Sequence, residues 1–190
     1  MTQHLRAAIL GVILLTLLTG CVFPLALFGL GRVFFHDGAE GSLVMRGGVV
    51  AGSRWIGQNF TQPQYFHPRP SAAGTGYDGT SSGGTNLGPL NKKLIDDVRQ
   101  LADEYRRDNG LAPDAIVPAD AVTRSGSGLD PHISPLNAAL QLPRVARARG
   151  LTEDVVRRLL ADYTDGRQWG FLGDPRVAVL DLNLALDRPR

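Results

Sequence analysis

Cysteine is almost missing from this sequence. The 190 residues hold one thiol, Cys21, inside an apolar run, so the rest of the chain can build neither a disulfide nor a thiolate metal site. Histidine is scarce as well. Of four, His36, His67 and His132 follow the apolar run, and none has metal-ligand spacing to another. The sequence therefore predicts no metal site. A surplus of one charge is also lacking. Lys and Arg number 20 against 18 Asp and Glu, and the two extra arginines, Arg6 and Arg32, flank the apolar run. The remainder is neutral, which removes the electrostatic footprint of a nucleic-acid binder despite a pI near 9.0. No internal repeat is visible.

What is present in excess is a hydrophobic run. Ala7 to Gly31 reads AAILGVILLTLLTGCVFPLALFGLG without one charge. A bilayer span needs about 20 apolar residues, and this run of roughly 25 is long enough to cross with some tilt. Three uses compete. A cleaved signal peptide has a shorter apolar region and then turns polar, whereas here VFPLALF continues. Leu18-Thr19-Gly20-Cys21 has the form of a lipobox, which would give a lipid-anchored extracytoplasmic binding module on Cys21, but Val22 to Leu30 again stays apolar. A retained transmembrane helix is favoured. Counting Lys and Arg at its ends comes close to a tie between the two orientations. The short tail and large following domain favour an extracytoplasmic C-terminal side. The expected organisation is a tail at 1–6, a transmembrane helix at 7–31, a linker at 32–41 and a small mixed α+β soluble domain at 42–190.

Within that domain, two β-prone runs, Ser42–Arg46 and Val49–Ala51, are joined by Gly47-Gly48, a hairpin signal. Residues 53–60, SRWIGQNF, suit either a short helix or a strand. Residues 62–89 are irregular, rich in Gly and Pro but interleaved with aromatics, which argues for ordered or functional loops. Leu90, Leu94, Val98, Leu101 and Tyr105 recur with helical spacing and predict a helix over 90–109, with Pro89 in its first turn and Gly110 at its end. Residues 116–122 look β-prone around a Pro-Ala-Asp turn. Ser134-Pro135 starts a helix that Pro143 should break or kink and Gly150 should end. Thr152 caps another, with Val155, Val156, Leu159, Leu160 and Tyr163 as its apolar stripe. Residues 176–184, RVAVLDLNL, look like a strand whose alternation slips at Leu180. Strands at both ends with helices between give the α+β class.

Tests for chemistry mostly fail. Ser127 sits between glycines, but positions 125 and 129 are Ser and Leu, so the G-x-S-x-G frame of a nucleophile elbow is broken. Asp130 and His132 are neighbours in sequence, which does not make them orienter and base. The G-x-x-x-x-G-K-[ST] pattern of a phosphate-binding loop does not fit after Gly88. Ser82, Gly83, Gly84, Thr85 and Asn86 are similar to the signature loop of transporter ATPases, a short match that makes them a nucleotide-contact candidate. Arg69, between two prolines, reads equally as a surface residue or as an anchor in a loop network or interface. Arg144, Arg147 and Arg149 read as a solvated or acid-paired helix face.

Six longer motifs carry a resemblance: GQNF (57–60), YFHPRPSAA (65–73), SGGTNLGP (82–89), SGSGLDPHISP (125–135), QLPRVARARGL (141–151) and FLGDPRVAVLDLNLALD (171–187). In this order, over nearly the whole chain, they resemble the KdpC-type subunits of the bacterial Kdp-type potassium-transporting ATPase. The resemblance implies a single-span accessory and assembly protein in the bacterial inner membrane, without chemistry of its own. Its partners would be the pore-forming and ATPase subunits and the lipid bilayer, with no nucleic acid. It further implies a catalytic-chaperone role that raises the ATPase subunit's affinity for ATP, with no cofactor tightly bound to this chain. The D-K-T-G loop of P-type ATPases and the T-V-G-Y-G-type filter of potassium channels are absent, in keeping with that role. Ser82 to Asn86 inherit their nucleotide expectation from the family, and Arg69, Asp130 and His132 are the loop or interface candidates. Thr16, Thr19 and Gly20 form a small-residue face for close packing on a pump subunit.

Overall fold

The computed structural model describes residues 2–188, and its first element is one long helix. α1 (Thr2–Leu17) passes through a π-helical stretch, Leu18–Val22, into α2 (Phe23–Phe34). Pro24 explains the π turn. It has no N–H to offer the carbonyl four residues back, and the chain widens locally so that Phe23 N–H reaches the Leu18 carbonyl. Thr19 Oγ1 donates to the Leu15 carbonyl at 2.7 Å. From His4 to Phe34 the helix has a mean hydropathy of 2.4, and none of the described residues buries it. It is long and apolar enough to span a membrane. Cys21 lies inside this unbroken helix, so the lipid-anchor reading gains no support.

The chain divides into two compact units, Met1–Ala51 and Gly52–Arg190. After the helix, the first unit holds a short α3 (His36–Ala39), an Arg32–Glu40 ion pair, and β1 (Leu43–Arg46) paired with β2 (Val49–Ser53). The Gly47-Gly48 turn has φ values of +56° and +80°, the left-handed pair that a two-residue hairpin needs.

The second unit is α+β. Its helices are α4 (Lys92–Asn109), α5 (Ala119–Val122), α6 (Pro135–Arg149), α7 (Glu153–Asp162) and α8 (Val179–Leu186). Its strands, β3 (His132–Ile133), β4 (Thr164–Asp165) and β5 (Arg176–Ala178), form an antiparallel sheet in the order β3-β5-β4. Val177 sits opposite Ile133 on one side and Thr164 on the other. The core gathers Ile133, Leu142, Val145, Val156, Val177, Leu182 and Leu186 around Phe66, which is 0% exposed.

Sequence expectations are met for the hairpin and for α4, α6 and α7. α4 begins two residues later than its apolar period suggests, because Asn91 accepts from Lys93 N–H and caps it; Pro89 therefore lies before the helix. Three expectations are overturned. Pro143 does not break α6. The carbonyl it leaves without a donor is that of Ala139, on the exposed face, where water can serve. Residues 119–122 form α5 rather than a strand. The run after Arg176 is a strand for three residues only, and the slip at Leu180 marks its turn into α8. There Val179, Leu182 and Leu186 bury at helical spacing.

Candidate functional site

Proline-bounded sequence is the starting point. Pro63, Pro68 and Pro70 hold residues 62–71 extended, and no strand among the described residues pairs with them. Their buried backbone groups must find other partners. Side chains from two helices supply them. Asn183 of α8 accepts from Phe66 N–H at 2.8 Å and donates to the Phe66 carbonyl at 2.9 Å. Gln141 of α6 brackets His67 in the same way, at 2.7 and 3.1 Å. Arg144 Nη1 donates to the carbonyls of Pro63 and Tyr65, while its Nε reaches Asn109 and its Nη2 reaches Gln141. Arg149 donates to the Gln64 and Leu186 carbonyls, pairs with Asp187 at 2.7 Å, and lies over the Tyr65 ring.

This corrects one expectation. Arg144 is not on a solvated face; it is buried, and burial lowers its pKa. Arg149 is acid-paired, as one of the two readings had it. The network continues through Asn137, which receives Gln141 Nε2 at 2.8 Å and the Tyr105 hydroxyl at 2.8 Å. Asp120 anchors its end by accepting from Asn137 Nδ2 and from the backbone and hydroxyl of Ser134.

The fold brings Arg69, Asp130 and His132 together. Arg69 Nη1 donates to Asp130 Oδ2 at 2.8 Å, and Asp130 Oδ1 accepts His132 N–H at 3.0 Å with His132 Nδ1 3.5 Å away. Burial alone would raise the Asp130 pKa. The hydrogen bonds from His132 and from Arg69, with the guanidinium charge, outweigh it and hold the group at about 2. Arg69 is therefore an anchor between loops. The three residues share a cleft of about 260 Å³ with Asp120, Asp174 and Arg176. Trp55 sets its edge against the His132 ring, centroids 6.5 Å apart. On the other side of Arg69 a cleft of about 470 Å³ is lined by Phe60, His67, Tyr77, Tyr105, Glu104 and Asp108. Burial and then the Arg144 charge lower the His67 pKa.

The Ser82–Asn86 loop lies elsewhere, against residues 125–128. Ser82 Oγ and Gly83 N–H both donate to the Ser127 carbonyl, at 3.0 and 2.9 Å. Gly128, at φ +69°, lets the layers meet: a Cβ there would come within 2.7 Å of Ala73 N and of the Gly83 carbonyl. Thr85 faces a cleft of about 250 Å³ with Lys93, Asp97 and Arg124. Lys93 and Arg124 both pair with Asp97, at 2.9 and 3.3 Å, so the cations there already have a carboxylate partner. Ser127 Oγ accepts Leu129 N–H and closes a turn. Gly20 points into open space on the apolar helix, and Thr19 bonds within it.

Sequence reasoning missed Asn183, Gln141, Asn137 and Asp120. A signal existed for two of them: Asn183 and Gln141 are single amides inside apolar runs, LDLNLAL and AALQLP.

Comparison with known proteins places the whole chain. The model of the family described as "KdpC: K+-transporting ATPase, c chain" matches residues 5–188. A protein of Mycobacterium tuberculosis (strain H37Rv) named potassium-transporting ATPase KdpC subunit is 54% identical over 188 residues, 99% of this chain and 100% of its own length. Similar proteins of that name from Koribacter versatilis and Beijerinckia indica are each 51% identical over 187 residues, 98% of this chain and 95% and 94% of theirs. Family match, near-complete coverage and one membrane-length helix before an α+β unit agree, and the chain belongs to the KdpC family of potassium-transporting ATPase subunits.

Proposed function

We propose that this chain is the accessory and assembly subunit of an ATP-driven potassium-uptake complex. It supports the pore-forming and ATPase subunits and catalyses no chemistry itself. On this reading residues 7–31 are the bilayer portion between a tail (1–6) and a linker (32–41), and 42–190 is the domain. The observation that carries it is a 31-residue apolar helix left entirely to its surroundings, on a chain of the KdpC family. A helix with no partner among the described residues has lipid and other subunits to pack on, and the face of Thr16, Thr19 and Gly20 allows the closest approach.

The non-catalytic reading draws support from how the reactive side chains are used. Asp130 clamps Arg69 to the 130–132 turn, Ser127 closes a turn, and Ser134 caps α6. The domain is placed on the extracytoplasmic side, since large domains translocate largely regardless of their charge. That side has no ATP. Contact through Ser82–Asn86 would need the opposite orientation and donors not already turned to the Ser127 carbonyl; ATP is accordingly assigned to the ATPase subunit. A reporter fused after Arg190 that works on only one side of the membrane tests this. Extracytoplasmic activity is expected. Cytoplasmic activity would reverse the placement and restore Ser82–Asn86 as a nucleotide contact.

A further inference from the structure

Between β4 and β5 the chain runs out into a hairpin arm, residues 166–175. Gln168 and Leu172 exchange both backbone hydrogen bonds, each at 2.9 Å, and Arg167 pairs with Asp174 across the arm at 3.1 Å. At its tip Trp169 is 85% exposed and Phe171 68%, their ring centroids 6.5 Å apart. Elsewhere in the second unit Phe60, Tyr65, Phe66, Tyr77, Tyr105 and Tyr163 are all buried or half-buried. Trp169 also has φ +52°, a left-handed conformation that bulky side chains rarely adopt. The arm thus holds a large apolar ring in water, in a disfavoured backbone state, with no described residue covering it. Such a combination marks a preformed recognition element.

The chemistry selects among occupants. An anchor in the bilayer surface relies on Lys and Arg drawn to anionic headgroups. Around this tip the cations are already matched, Arg167 by Asp174 and Arg176 by Asp165 at 3.6 Å, and the arm contains no lysine. A neutral aromatic pair fits a dry pocket on a protein. Two aromatic side chains bury roughly 300–500 Å² between them, short of the ~800 Å² per partner of a free-standing complex. A second copy of this chain meeting tip to tip is thereby disfavoured. A partner already held alongside by co-assembly needs no more than this area, because the contact is made at high effective concentration.

We propose that the tip Trp169–Leu172 is a docking knob that inserts into an apolar pocket of another subunit of the potassium-transporting ATPase complex. The inference rests on the subunit role proposed above. Its test uses the assembled complex, purified in detergent through a tag on the ATPase subunit. Trp169→Gly removes the ring while suiting the positive φ. It should leave thermal stability unchanged yet reduce retention of this chain through washing about tenfold or more, the size of a hot-spot truncation. Phe171→Ala should weaken retention in the same direction. A photo-reactive p-benzoylphenylalanine at position 169 should cross-link to a pump subunit, identified by mass spectrometry. Unchanged retention of both variants, or a cross-linker that captures lipid or a second copy, overturns the knob while leaving the subunit role standing. Failure of the wild-type chain to co-purify at all removes the subunit role and the knob with it.

Discussion

The helix of the first unit and the extended stretch at 62–71 meet the same demand in opposite ways. In the helix the backbone pairs within its own segment, through the π turn at Leu18–Val22, and the side chains are left without neighbours among the described residues. In the extended stretch the backbone has no segment of its own to pair with, and distant side chains do the pairing: Asn183, Gln141, Arg144 and Arg149. The first region is locally self-consistent and leaves its side-chain packing to lipid and partner subunits. The second is settled by tertiary contacts and depends on few positions. Substitutions should therefore separate cleanly, into those that unfold the soluble unit and those that disturb only assembly.

The largest effect is expected at Arg144. Arg144→Ala strips partners from two carbonyls, Asn109 and Gln141 at once, and should cost ~3 kcal/mol or more in urea unfolding, given the strength of hydrogen bonds from charged donors. Arg144→Lys should recover little, because an ammonium lacks the planar fork. A cost below ~1 kcal/mol would mean that water replaces the bracket and that the contrast between the regions is overstated. Next comes Asn183→Ala, which orphans both backbone groups of Phe66. About 1–3 kcal/mol is expected, with faster hydrogen exchange at the Phe66 amide.

Acid sensitivity is smaller and has a fixed sign. His67 has its folded pKa below the ordinary value of 6.5, so its folded form resists protonation. That contribution is complete above pH 6.5 and is lost as pH falls below it. Asp130, held at about 2 against an ordinary 3.8, adds stability above pH 4 that disappears as pH drops through 2. Melting temperature against pH should thus fall in two steps, and Asp130→Asn should flatten only the lower one. Gly20→Leu should leave unfolding of the soluble unit unchanged, since no described atom beyond its own helix backbone lies within 4 Å of a side chain at that position, while weakening assembly. Equal assembly of this variant would reduce the helix to a tether.

The same contrast explains what could be read from residues alone. α4, α6 and α7 announce themselves by apolar period and by caps at Asn91, Ser134, Gly110 and Gly150, all local signals. The apolar helix is legible for the same reason. Arg144 is not, because a basic helix face has one pattern whether it meets water or a buried irregular backbone. Nor is the ordering of the stretch around Phe66 and His67, whose partners lie more than 70 residues away. Leu180 shows the intermediate case: the alternation visibly slips, but only packing around Leu182 and Leu186 decides that the chain turns helical. At the candidate site, closeness in sequence raised the question of Asp130 and His132, whereas the third member, Arg69, is brought in by a loop 61 residues away.

The subunit role is tested most directly by co-purification of the full-length chain from membranes of a host that also carries the pore-forming and ATPase subunits. The expected result is an intact, uncleaved N-terminal helix and recovery of this chain in fixed proportion to both subunits. Recovery alone in the membrane fraction, or with the helix removed, would contradict that role.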